Sequence, residues 1–184
     1  MFGLGFKYKR TYGAWCKAGS RYPILPDAWN GTFRRDWRRI NTASQIPQCQ
    51  VLIAKPGISV STKVVYESLD AMELKPEDHP DIDGMIEAIN RQNIHEIAGK
   101  FGNVLELVTA GKYPVIGEIE QVMKAEGAVN AMMSGSGPTV FGLFTNPQAA
   151  QNAYERLRYG DAAKLAKQVY LTNFFNVKRS TYKI

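Results

Sequence analysis

Two short apolar runs, Ala128 to Met133 and Thr139 to Phe144, are separated only by Ser134-Gly135-Ser136-Gly137-Pro138. Glycine, serine and proline tolerate turn conformations, so the two runs read as neighbouring strands of a hairpin. Any fold for this chain must therefore contain an antiparallel pair with a tight Gly/Ser connection, and the surrounding sequence has to cover that pair.

The flanking segments supply the cover. Cys49 to Ala54 is an apolar run stopped by Pro56-Gly57, which reads as a buried strand. Ser61 or Thr62 can cap a helix running to Leu69, since either hydroxyl can accept from an orphan backbone N–H. After a charged loop from Lys75 to Pro80, the apolar period becomes helical. Ile82, Met85, Ile86 and Ile89 share one face, followed by Ile94, Ile97, Ala98 and Phe101, then by Val104, Leu105 and Val108. Pro114 suits a first helical turn, Val115, Ile119, Val122 and Met123 form its stripe, and Gly127 is a natural stop. Asn146-Pro147 opens a helix carrying Ala150, Ala153, Tyr154 and Leu157, and Val169 to Phe175 reads as a last strand. Strand, helices, strand, strand, helix, strand is the order of an α+β, ferredoxin-like fold: an antiparallel sheet with helices on one face.

Charge divides the chain near Gln45. Residues 1–45 hold nine Lys/Arg against two Asp/Glu, whereas residues 46–184 hold fourteen against fifteen. Trp15, Trp29 and Trp37 all fall in the first segment. The expected organisation is a basic, Trp-rich segment over 1–45 and one folded domain over 46–184. No run reaches the length of a membrane span, and the opening residues turn basic too early for a secretory signal, so a cytoplasmic location without membrane contact is expected. Cys16 and Cys49 have neither metal-ligand nor disulfide spacing.

Chemically, Gly135 and Gly137 can adopt positive φ and turn successive amides of the 134–138 loop toward an anion; a plain hairpin turn is the structural alternative. His79 and His95 have no ordering carboxylate in sequence and read as solvated. Asp81, Asp83, Glu118 and Glu120 read as helix-start and surface charges, with no convergence on a metal site.

The wider string from Met133 to Phe144 resembles the third conserved motif of the GHMP kinase superfamily. Lys55 to Thr62, His79-Pro80-Asp81-Ile82-Asp83 and Gly102-Asn103-Val104-Leu105-Glu106 resemble, in the same order, the branch that phosphorylates 4-diphosphocytidyl-2-C-methyl-D-erythritol. The resemblance implies an ATP- and Mg²⁺-dependent transfer to a hydroxyl of this small cytidine-diphosphate-linked substrate, in isoprenoid-precursor synthesis. It puts Gly135, Ser136 and Gly137 beside the ATP-phosphate loop. It also implies that the catalytic aspartate, the lysine and the phosphate loop belong to an N-terminal lobe with no match here, since Gly3-Leu4-Gly5 is too short. No catalytic base or metal ligand is therefore assigned in this chain, which is expected to be inactive alone and to self-associate through an exposed lobe face. Homoserine and mevalonate kinases share the loop, although the Pro56 to Thr62 string favours the cytidine branch. A non-catalytic ferredoxin-like domain binding a small effector is a third reading.

Residues 1–45 carry none of the resemblance. Shifted by one base, permitted codons for Gly19 to Gln45 spell a segment similar to the one such kinases place before the strand at Val51. Each tryptophan codon must then begin a glycine codon, and Trp15, Trp29 and Trp37 fall where these kinases have glycine. The expectation is a frame lost after Phe6 and regained near Gln45, with Met1 internal to a longer gene. The rival is a nucleic-acid-binding arm built of cations and aromatic platforms. The segment has no recognisable motif for that role, and a nucleic-acid partner is not expected.

Overall fold

The hairpin forms where the two apolar runs stand. The structure, a computed structural model, describes residues 46–174 together with 31–33 and 40–42. The chain divides into two units, Met1–Thr42 and Ala43–Ile184. In the first, β1 (Gly31–Phe33) and β2 (Ile40–Thr42) pair antiparallel, with Gly31 opposite Thr42 and Phe33 opposite Ile40. The three tryptophans, and the frame-shift and nucleic-acid readings that rest on them, lie outside the described residues.

The second unit runs β3 (Gln50–Lys55), α1 (Thr62–Asp70), a 3₁₀ turn (Pro76–Asp78), α2 (Ile82–Asn90), α3 (Ile94–Gly99), α4 (Val104–Lys112) and α5 (Val115–Ala125), and then β4 (Asn130–Met133), β5 (Val140–Phe144), α6 (Pro147–Arg158) and β6 (Gln168–Asn173). Its sheet order is β4-β5-β3-β6, antiparallel throughout. The ferredoxin-like reading holds: first and third strands of the sheet lie side by side at its centre.

Alternation along the strands sets the core. Leu52 and Ala54 of β3, Ala131 and Met133 of β4, and Val140 and Phe144 of β5 are buried with Ile116, Ile119 and Met123 of α5 and Ala150, Ala153 and Leu157 of α6. Each fully buried Leu, Ile, Met or Phe contributes roughly 1.5–3 kcal/mol. The opposite parity carries Phe141, and there the chain departs from the expected helical stripe. α3 stops at Gly99, and Phe101 lays its ring 5.4 Å from Phe141 on the sheet's other face.

Side-chain caps fix where the helices begin. Ser61, Asp81, Asn93, Asn103 and Asn146 each accept from first-turn amides of the helix that follows. The Asp81 carboxyl lies below its ordinary pKa because Lys100 bonds it and the Gly84 N–H donates to it. α5 closes in a Schellman pattern, Ala128 N–H to Met123 C=O and Gly127 N–H to Lys124 C=O. The last strand is shorter than its sequence suggests: β6 ends at Asn173, Phe174 N–H donates to Cys49 C=O at 2.8 Å, and Phe175 lies outside the described residues.

One surface assignment is corrected. Asp81, Asp83 and Glu118 are exposed, but Glu120 is only 8% exposed. It stands four residues after Ile116, one after Ile119 and three before Met123, on the stripe α5 turns to the core.

Candidate functional site

Strand β4 is an edge of the sheet, so the outward N–H and C=O of its last residue, Met133, need partners from elsewhere. Helix α4 provides both from one turn. Glu106 Oε2 accepts the Met133 N–H at 3.1 Å, and Asn103 Nδ2 donates to the Met133 C=O at 2.9 Å. Two side chains three residues apart thus do the work of a neighbouring strand. The pairing ends where the loop begins.

The loop is held from several directions. Ser134 N–H donates to Thr139 C=O at 2.7 Å, and Gly137 N–H donates to Ser134 C=O at 3.0 Å, closing a four-residue turn. Asn103 Nδ2 reaches the Gly135 C=O at 2.9 Å, and the buried Thr109 hydroxyl donates to the Ser136 C=O at 3.3 Å. From the start of α1, the Thr62 hydroxyl bonds the Ser136 hydroxyl at 2.9 Å, while Ser61 takes the capping role. Gly135 has φ of 58° and Gly137 of 81°, values that disfavour any residue with a Cβ. Positive φ at the first central position and not the second is the pattern of a type II′ hairpin turn.

These bonds engage the carbonyls of Ser134, Gly135 and Ser136 and leave amides free. Among the described residues, the Gly135 and Ser136 N–H groups have no acceptor. A Cβ built on Gly135 meets nothing within 4 Å, so space beside those amides is open. α1 and α4 both begin against the loop, and their N-terminal ends add partial positive charge. Two adjacent free donors, an open approach and two helix N-termini suit an anion with several oxygens. The donor set fits a phosphate chain; the described groups bonded to the loop are amides and hydroxyls.

Gly135, Ser136 and Gly137, the expected site residues, therefore lie in one turn, while His79 and His95 are exposed and apart from it. Sequence reasoning missed the frame. Asn103 and Glu106 lay in a quoted motif without a role, and the signal available was their three-residue spacing at a helix start. Glu120 was missed through its charge. It lies behind Glu106, facing a cleft of about 430 Å³ that Phe101, Asn103, Glu106, Lys124 and Asn130 also line. Burial and then the neighbouring Glu106 carboxylate push Glu120 up from 4.5 to about 7.

Residues 85–162 match the family described as GHMP kinases C terminal. The chain carries a GHMP kinase C-terminal domain. The chain is 48% identical over 137 residues to the 4-diphosphocytidyl-2-C-methyl-D-erythritol kinase of Lachnospira eligens, covering 74% of this chain and 46% of the relative. The relative of the same name from Caldicellulosiruptor saccharolyticus is 43% identical over 158 residues, covering 86% of this chain and 54% of its own length. The chain thus spans about half the length of the curated relatives it matches. Among solved structures, a 4-(cytidine 5′-diphospho)-2C-methyl-D-erythritol kinase superposes with a TM-score of 0.53 at 26% identity, covering 73% of this chain and 46% of the other. A homoserine kinase from Cytophaga hutchinsonii superposes at 0.57 with 18% identity, covering 76% and 45%, and shares the fold. Among the described residues, no helix is long and apolar enough to cross a membrane.

Proposed function

We propose that the domain over residues 46–184 is the C-terminal half of an ATP-dependent kinase acting on 4-diphosphocytidyl-2-C-methyl-D-erythritol, a step of isoprenoid-precursor synthesis, with the 134–138 loop set against the nucleotide's phosphates. The observation that carries this reading is the pair of free amides at Gly135 and Ser136 in a domain that shares nearly half its residues with kinases of that name. Gly135 and Ser136 donate to phosphate oxygens, and Gly137 gives the turn its shape. Phosphoryl transfer depends on positioning and on fixed donors near developing charge, and removing one such donor typically costs about 10²–10³ in rate. Mg²⁺ supplies charge neutralisation on the phosphates in this chemistry. By the resemblance, the catalytic aspartate, the lysine and the phosphate loop come from the N-terminal half of such kinases.

The same reading makes residues 1–45 a segment apart from the kinase domain, gives the protein a cytoplasmic location with its soluble substrates, and makes exposed apolar side chains such as Val64 and Leu107 a route to self-association.

The test is a chimera joining the N-terminal half of the Lachnospira eligens relative to residues 46–184, assayed for ATP-dependent phosphorylation of 4-diphosphocytidyl-2-C-methyl-D-erythritol, homoserine and mevalonate. Turnover of the first substrate and neither of the others is expected. A folded chimera that phosphorylates none of them, or only homoserine or mevalonate, contradicts the assignment.

A further inference from the structure

Glu120 Oε1 is buried and has no hydrogen-bond partner among the described residues, and Glu120 lines the same cleft as Glu106, whose carboxylate helps to raise its pKa. Two ionised carboxylates in that position would leave an orphan oxygen facing a like charge, an arrangement that costs several times a normal hydrogen bond. Lys124, one turn on, is the nearest cation, but its Nζ is 3.8 Å away and about half exposed. Each element packed on Glu120 offers little else. α4 brings Glu106 and β4 the Met133 N–H, while the ion pair between α5 and α6 joins Arg156 to Glu126.

We propose that Glu106 and Glu120 are positioning residues that share a single proton, a latch that joins α4 to α5 and keeps the Met133 N–H, and with it the entry to the 134–138 loop, in place. In the closed latch the Glu120 carboxyl donates its proton to one Glu106 oxygen while Glu106 Oε2 accepts from Met133 at 3.1 Å. Loss of that proton leaves two facing negative charges, and their repulsion draws Glu106 off Met133. Asn103 and Thr109, on the same helix, hold the loop carbonyls, so a shift of α4 moves the loop as a whole.

The sign follows from the direction of the shift. Glu120 titrates higher in the folded chain, about 7, than its ordinary 4.5. The stabilisation from its protonated form is complete below the ordinary value and is lost as pH rises through about 7. A kinase using this loop would lose phosphate contacts on the alkaline side; that consequence alone rests on the proposed function.

The experiment needs no nucleotide, so its outcome is separate from the kinase assignment. In the full chain, the Met133 amide resonance and the melting temperature are followed from about pH 5.5 to about pH 8 in the wild type, Glu120→Gln and Glu106→Gln. The wild-type Met133 signal is expected to titrate near neutrality with a fall in Tm on the order of 5 °C. Glu120→Gln, whose amide can donate to Glu106 at every pH, removes both changes. Should Glu120→Gln not fold, Glu106→Gln gives the second reading, since without its charged neighbour Glu120 titrates lower. A Met133 signal that does not respond in the wild type, that titrates unchanged in Glu120→Gln, or that keeps its midpoint in Glu106→Gln overturns the latch.

Discussion

Asn103→Ala is expected to destabilise the domain by about 3 kcal/mol and to slow the chimera's phosphoryl transfer by about a hundredfold. One side chain makes three bonds here. Its Oδ1 accepts the Leu105 N–H at the start of α4, and its Nδ2 donates to the carbonyls of Met133 and Gly135. Truncation removes a helix cap, leaves the sheet-edge carbonyl at Met133 without a donor, and releases the turn that carries the free amides. Asn103→Asp separates the contributions, because a carboxylate keeps the cap and can give neither donor. Urea unfolding should place Asn103→Asp between wild type and Asn103→Ala, with both variants slow in transfer. Wild-type stability and rate in Asn103→Ala would show that the loop is held without α4.

Gly137→Ala is the second large effect, at about 2–4 kcal/mol. At φ of 81° the added Cβ carries a left-handed conformational cost, and it would lie 2.5 Å from Met133 Sδ and 3.3 Å from Thr109 Cγ2. Met133 is fully buried and Thr109 almost so, which leaves little room to move aside. Gly135→Ala is the control. Its φ of 58° brings the conformational cost alone, about 1–2 kcal/mol, since nothing stands within 4 Å. Equal Tm values for the two variants would mean that packing behind Gly137 is looser than the contacts imply.

The contrast between these two glycines shows what a sequence can and cannot carry. Both read alike as turn residues, because the turn requirement is local; which one backs onto Met133 depends on the packing of α4 against β4. The same division runs through the rest of the domain. The hairpin, the caps at Ser61 and Asn146 and the end of α5 at Gly127 are local matters of hydrogen-bond chemistry within a few residues, and they were legible. Phe101 was placed on the α3 stripe by periodicity, yet it packs across the sheet on Phe141, forty residues on, a contact no local period encodes. Thr62 and Ser61 were equivalent as caps in sequence, and only the nearness of Ser136 separates their roles.

Glu120 is the most instructive case. Charge argued for the surface and helical spacing for the core, and spacing prevailed: Glu120 is buried on the stripe of Ile116, Ile119 and Met123. A charged residue at a core position of an otherwise apolar stripe is a local conflict, and such conflicts mark places where stability has been traded for another property.

Nucleotide contact at the loop is the most direct test of the central claim. With the chimera labelled in residues 46–184, ATP is added and the backbone amide signals of Gly135 and Ser136 are followed against that of Gly160, an exposed glycine in the turn after α6. Saturable shifts at Gly135 and Ser136, with Gly160 unmoved, are the predicted result. A chimera that transfers phosphoryl groups while neither loop amide responds to ATP would contradict the claim that this loop receives the phosphates.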